Sequence, residues 1–213
     1  MSVSAAVTAR PPETLVMVAQ NEGSAAHPWC RALAAADRPS PRDLSDAIHH
    51  LLMLHGRYPG MIDMAGTRSD RAAAVWLTEA AAAFAEERAY LNRLAVAAGP
   101  LPSTPGHAQA EAAVLAQCHA IEMLARSDRA GCAFGAAVAL VLDWTAMRTV
   151  LDAAATRLGL PVTWSSLPDA REASLLDDNP AAARAIGFGA RQVFIQHRQL
   201  WDLLEARALA RAR

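Results

Sequence analysis

Residues 70–98 read DRAAAVWLTEAAAAFAEERAYLNRLAVAA and run into Gly99-Pro100. Within them Leu77, Ala80, Phe84, Glu87, Leu91, Leu94 and Ala98 recur in an unbroken alternation of three and four residues. That spacing lines one side of an α-helix and would scatter across both faces of a strand. Ser69 or Asp70 can cap its start, and Gly99-Pro100 ends it. One member of the seam is a glutamate, and an unpaired carboxylate is costly on a buried face.

The alternation recurs further along the chain. From about Ala130 to Leu158 the series is Phe134, Ala137, Val141, Trp144, Arg148, Leu151 and Ala155. This segment is apolar on most sides up to Trp144, as expected of a helix enclosed by others. Asp177-Asp178-Asn179-Pro180 is a start signal for a last helix with Ile186, Ala190, Val193, His197, Leu200 and Leu204 on its seam. Leu44, Ile48, Leu51 and His55 mark a helix opening at Pro41 and closing at Gly56, and another covers about His107 to Arg126. Short helices are expected at Glu13 to Gln20 and Trp29 to Ala36, the latter broken off by Asp37-Arg38-Pro39, and a helical turn at Asp169 to Leu176. The expected fold is an all-α bundle of about five or six helices in a single domain. Residues 1–11 form a flexible arm and residues 40–213 the main bundle.

Composition agrees. The chain has 213 residues, of which 53% are hydrophobic and only 5% aromatic, with alanine, the best helix former, prominent. Net charge is -1, so no positive field favours nucleic acid or an anionic membrane surface. All 20 basic residues are arginine, a mark of GC-rich coding rather than of an activity. The longest apolar run, Cys132 to Leu142, falls short of the ~20 residues of a bilayer span, and Asp143 and Arg148 interrupt its continuation. The opening MSVSAAVTAR lacks a signal-peptide pattern, and Cys30, Cys118 and Cys132 are odd in number without CxxC spacing. A reducing cytoplasm is the expected location.

Function classes with firm motifs are missing: there is no GxSxG elbow, P-loop, GxGxxG, HExxH or CxxCH. What remains is a set of polar residues on apolar faces. Glu87 and Arg148 occupy the seams of two long helices, where they can form a buried ion pair that fixes register, or Glu87 can be a functional carboxylate. His119 and Glu122 lie one turn apart and could grip one metal ion, although the order reverses the Glu-x-x-His of two-metal bundles and occurs once. Asp143 and His197 could complete a cluster with Glu87 and Glu122, with Arg148 orienting a carboxylate from behind. His49 and His50 point about 100° apart, so at most one faces inward. Arg207, Arg211 and Arg213 read as a solvated face of the last helix.

In FAEERAYLNRLAVAAGPLPSTPG (84–106), QCHAIEMLARSDRAGCAFGAAVAL (117–140) and DWTAMRTVLDAAATRLGL (143–160), the chain resembles an uncharacterised family of small helical proteins from sphingomonad-type alphaproteobacteria. The likeness covers residues 40–160 and implies no function. More loosely the chain is similar to ferritin-like bundles. That similarity implies a core centre of one or two metal ions, iron or manganese, held by Glu87, His119, Glu122, Asp143 and His197, with oxidase- or oxygenase-type chemistry. The alternative is a non-enzymatic module that binds a partner protein or self-associates as a homo-oligomer, using the Gly131/Gly135 ridge or the exposed face of the last helix. A third expectation is a pocket for a small apolar ligand lined by Phe84, Trp144 and Met147.

Overall fold

A computed structural model describes residues 11–35, 39–69, 71–173 and 180–212. Among them are eight α-helices, one short 3-10 turn and no strand. The helices are α1 (Pro11–Glu22), α2 (Pro28–Ala35), α3 (Pro41–His55), α4 (Met61–Gly66), α5 (Arg71–Ala98), α6 (His107–Ala125), α7 (Cys132–Leu158) and α8 (Pro180–Ala212), with the 3-10 turn at Ser24–Ala26. The long elements fall where the seams place them. The cap expected at Asp70 and the start signal Asp177-Asp178-Asn179 lie outside the described residues, as do most of the arm at 1–11 and the end of the turn expected at Asp169 to Leu176.

Helix α4 follows Tyr58-Pro59-Gly60 as a six-residue element, too short to establish a period. It closes through chemistry instead: the Asp63 carboxylate accepts the Gly60 N–H at 2.8 Å and the Arg88 guanidinium at 3.2 Å. Its apolar face, Met61, Ile62 and Ala65, is buried.

Helix α7 forms the axis of the fold and touches each of the other helices. Its length and composition would suffice for a membrane span, but 78% of its most apolar window is buried inside the fold. Against α8 the approach is closest. A Cβ on Gly135 would lie 2.1 Å from the Ile186 carbonyl oxygen, and one on Gly189 would lie 2.1 Å from that of Cys132. The Gly131/Gly135 ridge, weighed above as a self-association surface, is thus covered by the chain's own last helix. Small residues let two helix backbones meet, and the benefit is lost once a methyl group intervenes.

The far ends of α3 and α8 are joined by charge. Asp46 accepts hydrogen bonds from Arg207 (2.8 to 3.1 Å) and Arg211 (2.7 Å), Arg211 also grips Asp43 at 2.6 Å, and Thr104 accepts from both arginines. Arg207 is 3% exposed, so the solvated face expected for the last helix is corrected at two of its three arginines: Arg207 and Arg211 turn inward because Asp46 is buried and needs counter-charge, while Arg213 lies outside the described residues. Burial alone would raise the Asp46 pKa, but the two guanidiniums prevail and hold it below the usual carboxylate value.

Gly135→Ala and Gly189→Ala should each lower stability by ~1–3 kcal/mol in urea unfolding, as backbone-blocked overpacking does. Gly187→Ala, with nothing within 4 Å of the added methyl, should instead be neutral or stabilising.

Candidate functional site

The two buried charged residues of α7, Arg148 and Asp143, are answered from different neighbours. Arg148 Nη1 donates to both Glu87 oxygens at 2.7 Å, and its Nε donates to Asp152 at 2.8 Å. Its Nη2 reaches the Thr163 carbonyl. Trp144 Nε1–H donates to Glu87 at 2.9 Å, Tyr90 O–H donates to Asp152 at 2.9 Å, and the guanidinium lies 4.1 Å from the Tyr90 ring centroid. Burial opposes the charge on Arg148, yet Asp152 and Glu87 outweigh it and raise its pKa. Of the two readings open for Glu87, the geometry supports the ion pair.

Asp143 faces another side of α7, because five residues along a helix turn it about 140° from Arg148. Its carboxylate accepts the Ser24 N–H at 2.7 Å, the Ser24 O–H at 2.6 Å and the His197 Nδ1–H at 2.7 Å. Trp201 Nε1–H donates to Ser24 Oγ at 2.8 Å, which aims the hydroxyl proton at Asp143. The chain continues outward, with His197 Nε2 facing His55 Nε2 at 3.0 Å. The protons then follow from the acceptor at the inner end. With His197 neutral and its Nδ1–H on the carboxylate, its Nε2 carries a lone pair and His55 donates from its own Nε2. The His55 Nδ1 is left as an acceptor.

That nitrogen makes no hydrogen bond among the described residues, nor is it among the fully enclosed side-chain atoms that lack a partner. His55 borders a cleft of about 370 Å³ between the α3–α4 connection, α5 and α6. The apolar side chains of the cleft include Leu54, Met61, Met64, Phe84, Ile121 and Leu140, and its charged ones are Arg57, Arg126 and Glu122. Phe84 and Trp144 pack edge-on against the His55 ring, with centroids 6.4 and 5.7 Å away. A second cleft of about 430 Å³ is bordered by Trp144, Arg148 and Asp152, but the polar groups there already satisfy one another. Burial, aided by Asp143, pushes the Cys30 thiol up to about 12, so it carries no thiolate beside the chain.

The five expected metal ligands do not converge. Glu87 is held by Arg148 and Trp144, Asp143 by Ser24 and His197, and Glu122 by Arg126 at 2.6 Å, while His119 is exposed. Among the described residues no three His, Cys, Asp or Glu side chains are grouped to hold one ion. Of the three residues expected to share an apolar pocket, Phe84 borders the first cleft, Trp144 the second, and Met147 is fully buried. His50 turns inward and His49 reaches the Gly99 carbonyl at 2.8 Å, in keeping with their divergence. Sequence reasoning passed over Ser24 and did not single out His55 as a site residue. The available signal for His55 was its place on the α3 seam, a histidine where only apolar residues were due.

Replacing Arg148 with Met strands the Glu87 charge and should cost ~3–5 kcal/mol in urea unfolding. The Glu87→Gln/Arg148→Met double variant should lose less. Burial, and then the nearness of His197, holds His55 well below the ordinary imidazole pKa, and burial lowers His50. Their folded values lie under their unfolded ones, so the stability they contribute is complete above about pH 6.5 and drains away as pH falls below it. The thermal midpoint should therefore drop between about pH 7.5 and about pH 5, and His55→Phe should flatten that drop.

The comparisons with known proteins bear on the chain as a whole. No curated protein and no solved structure matches it, and no ferritin-like relative emerges. A family model does match, over residues 19–212, from within α1 to the end of α8. The chain belongs to DUF6975, a family of unknown function.

Proposed function

We propose that this protein binds a small molecule with an apolar body and a hydrogen-bond donor in the cleft bordered by His55. The observation that carries this reading is the open end of the Asp143–His197–His55 chain. The Glu87–Arg148 cluster, by contrast, meets its guanidinium donors with acceptors inside the fold. Along the Asp143 chain three donors meet the carboxylate at the inner end, and at the outer end His55 borders a cleft with its Nδ1 unbonded among the described residues. A volume of about 370 Å³ lies at the small end of ligand pockets, which run from ~300 to ~1,000 Å³. The mix of aliphatic, thioether and aromatic walls around few polar groups is of the kind that holds compact organic ligands.

Ligand-observed NMR with a library of small phenols, indoles and aliphatic alcohols tests the reading. Binding at up to millimolar concentration is expected for the wild type, to be abolished in Ile121→Trp and in Met64→Trp, two substitutions that fill the cleft from different walls. Circular dichroism establishes that at least one of them folds. A library without a binder, or binders that a folded filled-cleft variant still takes, would overturn the proposal.

A further inference from the structure

With both imidazoles neutral, the contacts behind His55 order into one direction, from His55 through His197 to Asp143, and this gives the proposed ligand site a chemistry. We infer that Asp143, His197 and His55 form a directional proton relay, through which the His55 Nδ1 takes the proton of an acidic hydroxyl on the ligand in the cleft. The inference rests on the small-molecule reading above and adds an activity to it, general-base proton transfer.

The step balances within the residues named. The ligand O–H bond breaks and its electron pair stays on oxygen, while a new N–H bond forms at His55 Nδ1. The proton already on His55 Nε2 crosses the 3.0 Å separation to His197 Nε2. His55 is then neutral again, with its proton on Nδ1, and His197 is an imidazolium whose Nδ1–H faces Asp143 at 2.7 Å. Positive charge thus settles beside a carboxylate rather than between the Phe84 and Trp144 rings, where nothing would balance it. Arg57 and Arg126 against Glu122 leave the cleft with one excess positive charge, which favours the anion that remains. The transfer from His55 to His197 runs along a contact already in place, the arrangement that general-base catalysis needs.

The backbone of Ser24 makes the relay testable by a single atom change. Its N–H is fixed 2.7 Å from Asp143 Oδ1 and requires an acceptor there. In Asp143→Asn the amide oxygen must therefore occupy that position, which turns the NH2 group toward His197 Nδ1. His197 then accepts at Nδ1 and donates from Nε2, His55 accepts at Nε2, and the cleft meets an N–H where it met a lone pair. The variant preserves shape and reverses polarity.

The experiment uses the full chain labelled with 15N-histidine and long-range 1H–15N correlation near neutral pH, with 4-nitrophenol as the probe hydroxyl. In the wild type the proton should reside on Nε2 of His55 and on Nδ1 of His197; in Asp143→Asn both should move to the opposite nitrogen. At a pH below its own pKa, 4-nitrophenol should become visibly ionised on binding to the wild type. In Asp143→Asn its affinity should fall by roughly tenfold and the bound probe should stay neutral. A wild-type His55 protonated on Nδ1 overturns the relay, as does a bound phenol that ionises equally in both proteins. The wild-type tautomers can be read even if Asp143→Asn does not fold. They also need no ligand, so a failed relay is distinguishable from a failed binding site: absence of binders overturns the pocket, and the wrong tautomer overturns the relay.

Discussion

The inward faces of α7 leave no room for a charge in water, and Asp143 and Arg148 both lie buried there. Each must be neutralised and hydrogen-bonded in place, since a single unpaired buried ion costs several kcal/mol. The partners come from different layers: α5 supplies Glu87 to Arg148, while α8 and the 3-10 turn supply His197 and Ser24 to Asp143. Rotating α7 by one residue would break both sets at once. The apolar seams bring the helices together, and these two polar contacts select one register among the several that alanine-rich faces would tolerate.

Alanine and glycine at the α7–α8 contact give close backbones but little shape to tell one sliding position from the next. The ion cluster at the other end of α8 supplies what the small residues lack. Asp46 lies near the start of α3, and Arg207 and Arg211 lie near the end of α8, so their pairing locks the far end of the last helix while Gly135 and Gly189 lock the near one. Thr104, between α5 and α6, accepts from both arginines and ties that connection to the same point.

The seams of α5, α7 and α8 made the fold class and the long helices legible, because a three-four alternation has only one structural meaning when it persists for several turns. They also placed Glu87 and Arg148 on facing stripes, and the pair is there. Three features lay beyond that logic. Helix α4 is shorter than two turns and depends on Asp63 reaching back to Gly60, a contact that periodicity does not encode. Arg207 looked solvated because its counter-ion, Asp46, is 161 residues away in sequence. The metal expectation pooled Glu87, His119, Glu122, Asp143 and His197 by helix, whereas residue spacing says which side of a helix a group occupies and not which neighbour covers it. His119 fell on the exposed side of α6 and Glu122 on the cleft with Arg126, while Glu87 of α5 and Asp143 of α7 met different partners.

The difference between the two buried networks is where the donors and acceptors run out. Around Arg148 the N–H donors of the guanidinium meet Glu87, Asp152 and Thr163, and the Tyr90 ring packs against its plane. Such a cluster has nothing left to offer a ligand, and its worth is register. Around Asp143 the accounting begins with an acceptor that takes three donors and must therefore push polarity outward, through one imidazole to the next, until it meets space. Histidine can transmit that polarity, because its neutral ring donates on one nitrogen and accepts on the other. Two of them in series carry the preference of a buried carboxylate to the wall of a cleft, and a lone pair so oriented is a chemical group even though nothing in the local sequence around His55 marks it as one.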